Sequence, residues 1–200
     1  MTRPLAAASA LVLLLAVAPA APVPKEKAKT PNYYPTALGS RWVYKVGATE
    51  IATEVTAVES KSGARLATIA TLVNGKAVAT ERISVTAKGV FRDRINKADL
   101  KPPACILKSP LKSGDKWEVD SSVQGQVTKM SFTTGGSEEV EVPAGKYKAH
   151  RVDADGTIAG AQTGVTYWFA PDVGVVKIRY TIAGNESVLE LKSFTAGKKN

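Results

Sequence analysis

Residues 174–182 read Gly-Val-Val-Lys-Ile-Arg-Tyr-Thr-Ile, and this stretch decides the fold class. From Val176 onward, apolar residues alternate with Lys177, Arg179 and Thr181, which is typical of a strand with one buried face. In a helix the same spacing would place the charged side chains among the apolar ones, because a helical face recurs every three or four residues. The stretch therefore predicts a β-strand whose buried face carries Val176, Ile178, Tyr180 and Ile182.

The same alternation occurs in residues 41–46 and 139–142, and turn signals separate such segments along the chain. Asn74-Gly75 suits a type I′ hairpin, since both residues tolerate positive φ. A helical turn or two is expected at most, over Arg94–Lys101. Turn signals spaced by roughly 8–12 residues predict an all-β domain, a single antiparallel, strongly curved sheet or barrel of about ten strands. Further predicted turns are Lys88-Gly89, Gly135-Gly136, Asp155-Gly156 and Gly184-Asn185.

The first residues have the three parts of a secretory signal peptide. Arg3 gives a positive start, residues 5–17 form an apolar run, and Ala18-Pro19-Ala20 is a small-residue cleavage site. The run is shorter than the roughly 20 apolar residues of a spanning helix, so we expect cleavage near Ala20 and no transmembrane segment afterwards. We predict an exported protein, periplasmic or secreted. Its parts are a signal peptide (1–20), a Pro- and Lys-rich linker (21–32) and a β domain (33–197).

The chain has a formal net charge of +9, one cysteine and one histidine. The basic residues are spread along the predicted strands and do not form a clustered stripe with aromatics, which argues against specific nucleic-acid binding. We interpret most charges as solvated strand faces with a bias toward anionic surfaces. The apolar neighbours of Cys105 predict an inert, buried thiol. No cysteine lies near the cleavage site, so the acylated cysteine of a bacterial lipoprotein is not available.

One pattern occurs twice at a constant offset. Pro-x-x-x-Gly-x-x-Trp begins at Pro35 and again at Pro110, and each copy leads into a predicted strand. Proline sets an extended entry, glycine permits a tight turn and tryptophan anchors the strand in the core. The pattern predicts two halves, 33–97 and 106–197, broken at Pro102-Pro103; chance or convergent turn chemistry is the alternative. Its residues are Pro35, Gly39, Trp42 and Pro110, Gly114, Trp117.

With these residues identified, the chain resembles a group of bacterial exported proteins known as a domain of unknown function. Three motifs carry the resemblance: Tyr-Tyr-Pro…Gly-x-x-Trp-x-Tyr, Val-Pro-Ala-Gly-x-Tyr, and Tyr-Trp-Phe-Ala-Pro-x-x-Gly-x-Val-Lys. The resemblance implies a curved, barrel-like sheet in the bacterial envelope and no catalytic residues. The implied fold is distantly similar to that of periplasmic lipoprotein carriers, but this sequence lacks the helices that cover the cavity in those carriers. The motif residues are Tyr33, Tyr34, Pro35, Gly39, Trp42 and Tyr44; Val142, Pro143, Ala144, Gly145 and Tyr147; and Tyr167, Trp168, Phe169, Ala170, Pro171, Gly174, Val176 and Lys177.

Catalytic and metal chemistry find little support in the sequence. His150 is the only histidine, and no nucleophile elbow accompanies it, so a hydrolase with an unusual site is the least favoured hypothesis. Asp153-Ala154-Asp155-Gly156 lacks the later ligands of a calcium loop, and one cysteine with one histidine does not make a usual zinc site. We therefore predict no catalytic residues, no cofactor and no metal.

The aromatic motifs are the remaining candidates for function. Neighbouring side chains in a strand point to opposite faces, so Tyr167-Trp168-Phe169 must supply both faces of the sheet. We predict a non-catalytic envelope protein that binds an apolar or amphipathic ligand or a partner protein. The alternative is a structural or assembly component without a cavity. The candidate structural or ligand-lining residues are Pro35, Gly39, Trp42, Tyr44, Pro110, Gly114, Trp117, Pro143, Gly145, Tyr147, Tyr167, Trp168, Phe169, Pro171 and Gly174.

Overall fold

Twelve strands follow one another in a computed structural model, which describes residues 31–198. Every strand pairs antiparallel with its neighbours in the chain, and the first pairs with the last, so the sheet closes into a barrel. The predicted all-β, antiparallel, barrel-like fold is confirmed, with twelve strands against the predicted number of about ten. The strands are β1 Arg41–Val46, β2 Thr49–Lys61, β3 Ala64–Val73, β4 Lys76–Thr86, β5 Gly89–Ile95, β6 Ala98–Lys108, β7 Lys116–Val123, β8 Gln126–Val142, β9 Gly145–Ile158, β10 Ala161–Ala170, β11 Gly174–Ile182 and β12 Asn185–Thr195.

The predicted signal peptide, and the linker up to residue 30, lie outside the described residues. None of the residues in 31–198 belongs to a helix that is long and apolar enough to cross a membrane.

Tight two-residue turns connect many of the strands. The predicted turn at Asn74-Gly75 joins β3 to β4 with φ values of 51° and 75°, the positive pair that a type I′ turn requires. The β11–β12 turn is Ala183-Gly184, one residue earlier than predicted, and Asn185 begins β12. Similarly, Gly89 begins β5 and follows the turn. These turns match the right-handed twist of the strands that they join.

Two other turn predictions are wrong, and the helical turn allowed over 94–101 does not form. Gly135-Gly136 lies within β8, at a bulge where the register with β9 shifts between Thr134 and Ser137. Asp155-Gly156 lies within β9, and the chain turns later at Ala159-Gly160. No helical turn occurs in 94–101, because these residues form the end of β5, a turn and the start of β6. At Gly135-Gly136 and at Asp155-Gly156, glycine interrupts the apolar alternation without ending the strand.

Pro102-Pro103 does not break the chain, because β6 continues through both residues. Proline has no N–H to donate, and it is tolerated in strands where ladder bonds are absent. The pairing of β6 is interrupted here on both sides. With β7 it consists of Lys101↔Ser122, and with β5 it skips from Arg92↔Ala104 to Arg94↔Asp99. The prolines thus lie at the weakest seam of the barrel.

The two copies of Pro-x-x-x-Gly-x-x-Trp have the same local geometry. Gly39 and Gly114 have φ values of 80° and 84°, and each lies two residues before the start of its strand, β1 or β7. Each glycine N–H donates to a carbonyl of the neighbouring strand, Gly39 to Val55 at 2.9 Å and Gly114 to Thr134 at 2.8 Å. Both patterns thus start a six-strand half. The first half extends to Lys108 and includes all of β6, so the predicted boundary at 97–106 is wrong.

The tryptophans of the two copies make the same kinds of contact, although Trp42 stacks toward β12 and Trp117 toward β8. Trp42 donates its indole N–H to the Val173 carbonyl at 2.7 Å, and Trp117 donates to the Cys105 carbonyl at 2.9 Å. Each ring stacks on a phenylalanine directly across the adjacent strand pair, with centroids 5.2 Å apart for Trp42 and 5.0 Å for Trp117. The repeated sequence pattern therefore corresponds to a repeated way of anchoring the first strand of each half.

A bulge between β10 and β11 decides which residues of 174–182 face the interior. The register passes from Trp168↔Lys177 to Phe169↔Val175, so Val176 is the extra residue. Val175, Ile178 and Tyr180 line the interior, whereas Val176 is fully buried elsewhere in the core. Ile182 is 50% exposed near the end of β11. The predicted buried face therefore holds for Val176, Ile178 and Tyr180 and fails at Ile182, and the bulge brings Val175 to the cavity wall as well.

Candidate functional site

A cavity of about 350 Å³ lies inside the barrel. This volume is at the lower end of the range of small-molecule sites, roughly 300–1,000 Å³. Among the described residues, the lining comes from β1–β6, β10–β12 and residues 34–35. The inward side chains of β7–β9, including Trp117, Met130 and Phe132, belong to the packed core. The cavity is therefore confined to one side of the barrel interior.

Aromatic side chains form much of the cavity wall. Trp42, Phe169 and four tyrosines line it together with aliphatic residues. The Tyr44 hydroxyl donates to the Val175 carbonyl at 2.8 Å. Burial raises the pKa of Tyr34, Tyr44 and Tyr167, and the neighbouring Tyr167 followed by burial raises the pKa of Tyr180. All four hydroxyls are therefore neutral near pH 7. The Tyr44 hydroxyl is already donated, and the hydroxyls of Tyr167 and Tyr180 interact with each other.

One ion pair faces the cavity. Arg92 on β5 donates Nε–H to Glu81 Oε2 on β4 at 2.6 Å. The two side chains retain 31% and 25% of their accessible surface, although both line the enclosed interior. That surface therefore faces the cavity and not bulk solvent. The Glu81 carboxylate raises the pKa of the Arg92 guanidinium above its already high value, so Arg92 is permanently charged.

The segment before β1 crosses one end of the barrel. We call residues 32–36 the strap. At one end, the Asn32 carbonyl accepts a hydrogen bond from Asp172 N–H at 2.7 Å, in the turn between β10 and β11. At the other end, Arg65 on β3 donates Nε–H to Thr36 Oγ1 at 3.0 Å. The strap contributes Tyr34 and Pro35 to the cavity lining, so it forms part of the cavity wall at this end of the barrel.

The structure divides the predicted site residues between the cavity and other roles. The Pro110 copy of the repeat lies at the start of β7, away from the cavity, and the Val-Pro-Ala-Gly-x-Tyr motif forms the β8–β9 turn. The predicted residues that line the cavity are Pro35, Trp42, Tyr44, Tyr167, Phe169 and Gly174. Those outside it are Gly39, Pro110, Gly114, Trp117, Pro143, Gly145, Tyr147, Trp168 and Pro171.

Tyr167, Trp168 and Phe169 supply both faces of β10, as predicted. Tyr167 and Phe169 line the cavity, whereas Trp168 does not. Trp168 is nevertheless buried, because its indole N–H donates to Glu138 of β8 and Lys177 lies 5.9 Å from its ring centroid. The outer aromatic residue is thus covered by neighbouring polar side chains, and it does not form an exposed apolar patch.

The β8–β9 turn is tied to β12. Ala144 N–H donates to the Leu191 carbonyl at 2.9 Å, and Leu191 is completely buried. Tyr147 contributes a long hydrogen bond of 3.5 Å from its hydroxyl to the Ala144 carbonyl. The Val-Pro-Ala-Gly-x-Tyr motif therefore has a structural role in attaching the long β8–β9 hairpin to the barrel.

His150 and Cys105 lie apart from the cavity lining. The His150 ring meets Tyr33 edge-on at 5.4 Å, and its buried Nδ1 has no hydrogen-bond partner among the described residues. Burial, and secondarily Lys148, lower the pKa of His150. Cys105 is half-buried, and burial raises the pKa of its thiol, which disfavours the reactive thiolate. No group of three potential metal-ligating side chains occurs within the described part of the chain.

Sequence reasoning missed Glu81 and Arg92. It treated charged residues as solvated strand faces, and both residues lie in runs where charged or polar residues are consecutive, Thr80-Glu81-Arg82 and Arg92-Asp93-Arg94. Their neighbours do face outward: Arg82 pairs with Asp93 at 2.8 Å and Arg94 with Asp99 at 2.7 Å. Simple alternation would place Arg92 and Arg94 on the same face, but the register of β5 shifts at Asp93, so Arg92 faces the cavity while Arg94 faces outward. The alternation pattern alone therefore does not locate the pair.

The fold and the site together define a closed twelve-stranded barrel that encloses an aromatic cavity with one ion pair. Two crystal structures share this fold. One is of a protein from Parabacteroides distasonis, described as a candidate lipoprotein, with 14% sequence identity and a TM-score of 0.56; the match covers 84% of this chain and 100% of that chain. The other is of a protein from Bacteroides fragilis, described as a candidate exported protein with a YmcC-like fold, with 13% identity and a TM-score of 0.57; the match covers 82% of this chain and 99% of that one. No protein-family model matches the chain, and no curated protein sequence is similar to it.

Proposed function

We propose that this is an exported, non-catalytic protein whose barrel binds one small apolar or amphipathic molecule. The observation that carries the proposal is the cavity of about 350 Å³, with its aromatic and aliphatic lining and a few polar groups. Enclosed, mostly apolar cavities with a small number of placed polar groups are the usual form of small-molecule sites. Export is supported by the signal-peptide pattern of residues 1–20 and by the description of the Bacteroides fragilis protein as exported.

The size of the cavity limits the ligand. A volume at the lower end of the range of small-molecule sites favours a compact ligand over a lipid with two acyl chains. A single aromatic or short aliphatic molecule fits this space. An assembly component without a ligand would be expected to have a filled interior, so the cavity favours the binding hypothesis over that alternative.

Native mass spectrometry of protein purified gently from its own host tests the proposal. We expect the folded protein to carry one additional small molecule that is released on unfolding. Protein stripped of this molecule should take up one equivalent of the uncharged fluorophore N-phenyl-1-naphthylamine. A clean mass without ligand, together with no uptake of the fluorophore, would contradict the proposal.

A further inference from the structure

The polar groups of the cavity are mainly donors. The Arg92 guanidinium has five N–H groups, and one of them, Nε–H, is hydrogen-bonded to Glu81. No other hydrogen bond of the Arg92 side chain is formed with residues 31–198. The neutral hydroxyls of Tyr167 and Tyr180 line the same space but interact with each other, so the free donors are mainly those of Arg92. A ligand that fills the cavity therefore meets several donors, and it must present an acceptor to satisfy them.

The charges of the cavity already balance. Arg92 and Glu81 together carry no net charge, and among the described lining residues no other side chain is charged near pH 7. A carboxylate or an ammonium on the ligand would leave one uncompensated charge inside the barrel wall, which is costly. An uncharged oxygen acceptor satisfies the Arg92 donors without disturbing this balance.

Resting on the proposed function, we propose that the cavity selects an uncharged ligand in which a carbonyl-type oxygen acceptor is joined to an aromatic or apolar body. The acceptor lies at the free N–H groups of Arg92, and the body packs against the aromatic wall formed by Trp42, Tyr167 and Phe169. Glu81 sets the specificity: its carboxylate neutralises Arg92 and thereby excludes anionic ligands.

Three naphthalene compounds that differ in one substituent test this selectivity. 2-Acetylnaphthalene is uncharged with an acceptor, 2-naphthoate is an anion, and 2-ethylnaphthalene has no acceptor. Their affinities are measured by displacement of N-phenyl-1-naphthylamine from the stripped full-length protein. We expect 2-acetylnaphthalene to bind about tenfold or more tightly than either of the others, because each of these leaves a buried charge or buried donors unsatisfied.

Substitutions in the ion pair distinguish the effect of its charges on ligand preference from the effect of the cavity's shape. Glu81→Gln leaves the Arg92 charge uncompensated, so the preference should reverse toward 2-naphthoate by about tenfold. Glu54→Gln, which removes the partner of Arg41 outside the cavity lining, is the matched control and should keep the wild-type order. If Glu81→Gln does not fold, the double variant Glu81→Gln/Arg92→Met removes both charges. It should bind the acetyl and ethyl compounds equally.

The outcomes distinguish the two proposals. If none of the compounds and no N-phenyl-1-naphthylamine binds, the proposed function fails and the inference fails with it. If the compounds bind but wild-type protein prefers 2-naphthoate or does not distinguish the three, the inference alone is overturned. Retention of the acetyl preference in the double variant would also overturn it, since the discrimination would then come from other groups.

Discussion

Gly156 illustrates at the scale of one residue how closely the strands approach each other. A Cβ placed on Gly156 would overlap the Lys129 carbonyl oxygen and lie 2.9 Å from the Met130 Cα, both on the facing strand β8. The sequence suggested a turn at this glycine. In the structure, a glycine is needed at this position because the backbone of β8 occupies the space that a side chain would fill.

Gly156→Ala is therefore expected to lower the free energy of unfolding by about 3 kcal/mol or more, because the backbone of β8 must shift. Urea denaturation followed by circular dichroism measures this change. Gly136→Ala is the matched control in the neighbouring strand, since nothing lies within 4 Å of the added Cβ and its φ is not positive. The control should change stability by less than about 0.5 kcal/mol. Equal effects of the two substitutions would contradict the described packing.

Glu81 and Arg92 show what limits prediction of the site at this scale. In a half-buried strand, apolar residues mark the buried face, so a charged residue is assigned to solvent by default. An enclosed ion pair reverses this rule, because each charge compensates the other. The pairing depends on the register between β4 and β5, which contains a bulge between Arg82 and Ile83. A single sequence does not specify that register.

At the scale of elements, the strands were predictable and the bulges were not. Alternation and Asn-Gly turns are local properties, so the antiparallel hairpins follow from residues a few positions apart. The bulges at Gly135-Gly136 and at Val176 depend on which residues face them across the sheet. For this reason the aromatic lining of β10 could be predicted from the sequence, whereas the inward position of Val175 could not.

The β6–β7 seam is the weakest element of the barrel. Its ladder is reduced to Lys101↔Ser122, and side-chain donors replace the missing backbone bonds. Ser121, which is 2% exposed, donates Oγ–H to the Pro102 carbonyl at 2.6 Å. Trp117 donates to the Cys105 carbonyl in the same seam at 2.9 Å. The closure of the barrel at this point thus depends on a few side chains.

Ser121→Ala is expected to lower the free energy of unfolding by about 1 kcal/mol, because it removes the hydrogen bond that joins β7 to β6 at Pro102. Backbone amides of β6 and β7 should also exchange their hydrogens faster than those of β8 and β9, which hydrogen–deuterium exchange can measure. Ser131→Ala removes an exposed hydroxyl hydrogen-bonded to Glu118 and serves as the control, with an expected effect below about 0.5 kcal/mol. A stability loss no larger than that of the control would show that the seam does not depend on Ser121.

At the scale of the whole molecule, the two halves of the barrel begin with the same anchor but differ in how their interiors are filled. Each half begins with a Gly-x-x-Trp anchor, but the cavity lies beside Trp42, and the corresponding region beside Trp117 is filled by Phe132 and the surrounding core. The strap passes across the end of the barrel beside the cavity. The barrel is therefore solid on one side and hollow on the other, and this asymmetry was not evident from the repeated sequence pattern.

Small residues form part of the cavity wall on the hollow side of the barrel, so a larger side chain introduced there would fill the cavity. Thr53, Thr71 and Ala79 line the cavity and lie side by side on β2, β3 and β4, in the registers Thr53↔Thr71 and Thr71↔Ala79. Thr71→Phe would place a ring in this space. Thr68 on the same strand does not line the cavity and points to the face opposite that of Ile69, so Thr68→Phe is a control of equal size.

Titration of N-phenyl-1-naphthylamine into the wild-type protein and these two variants tests most directly whether the ligand site lies inside the barrel. If the site lies inside the barrel, the wild type and Thr68→Phe should each bind one fluorophore per chain in a saturable manner. The affinity of Thr71→Phe for the fluorophore should be lower by about tenfold or more, equivalent to about 1.4 kcal/mol. Equal affinity of all three folded proteins, or binding without saturation, would place the fluorophore on the outer surface and contradict an internal site.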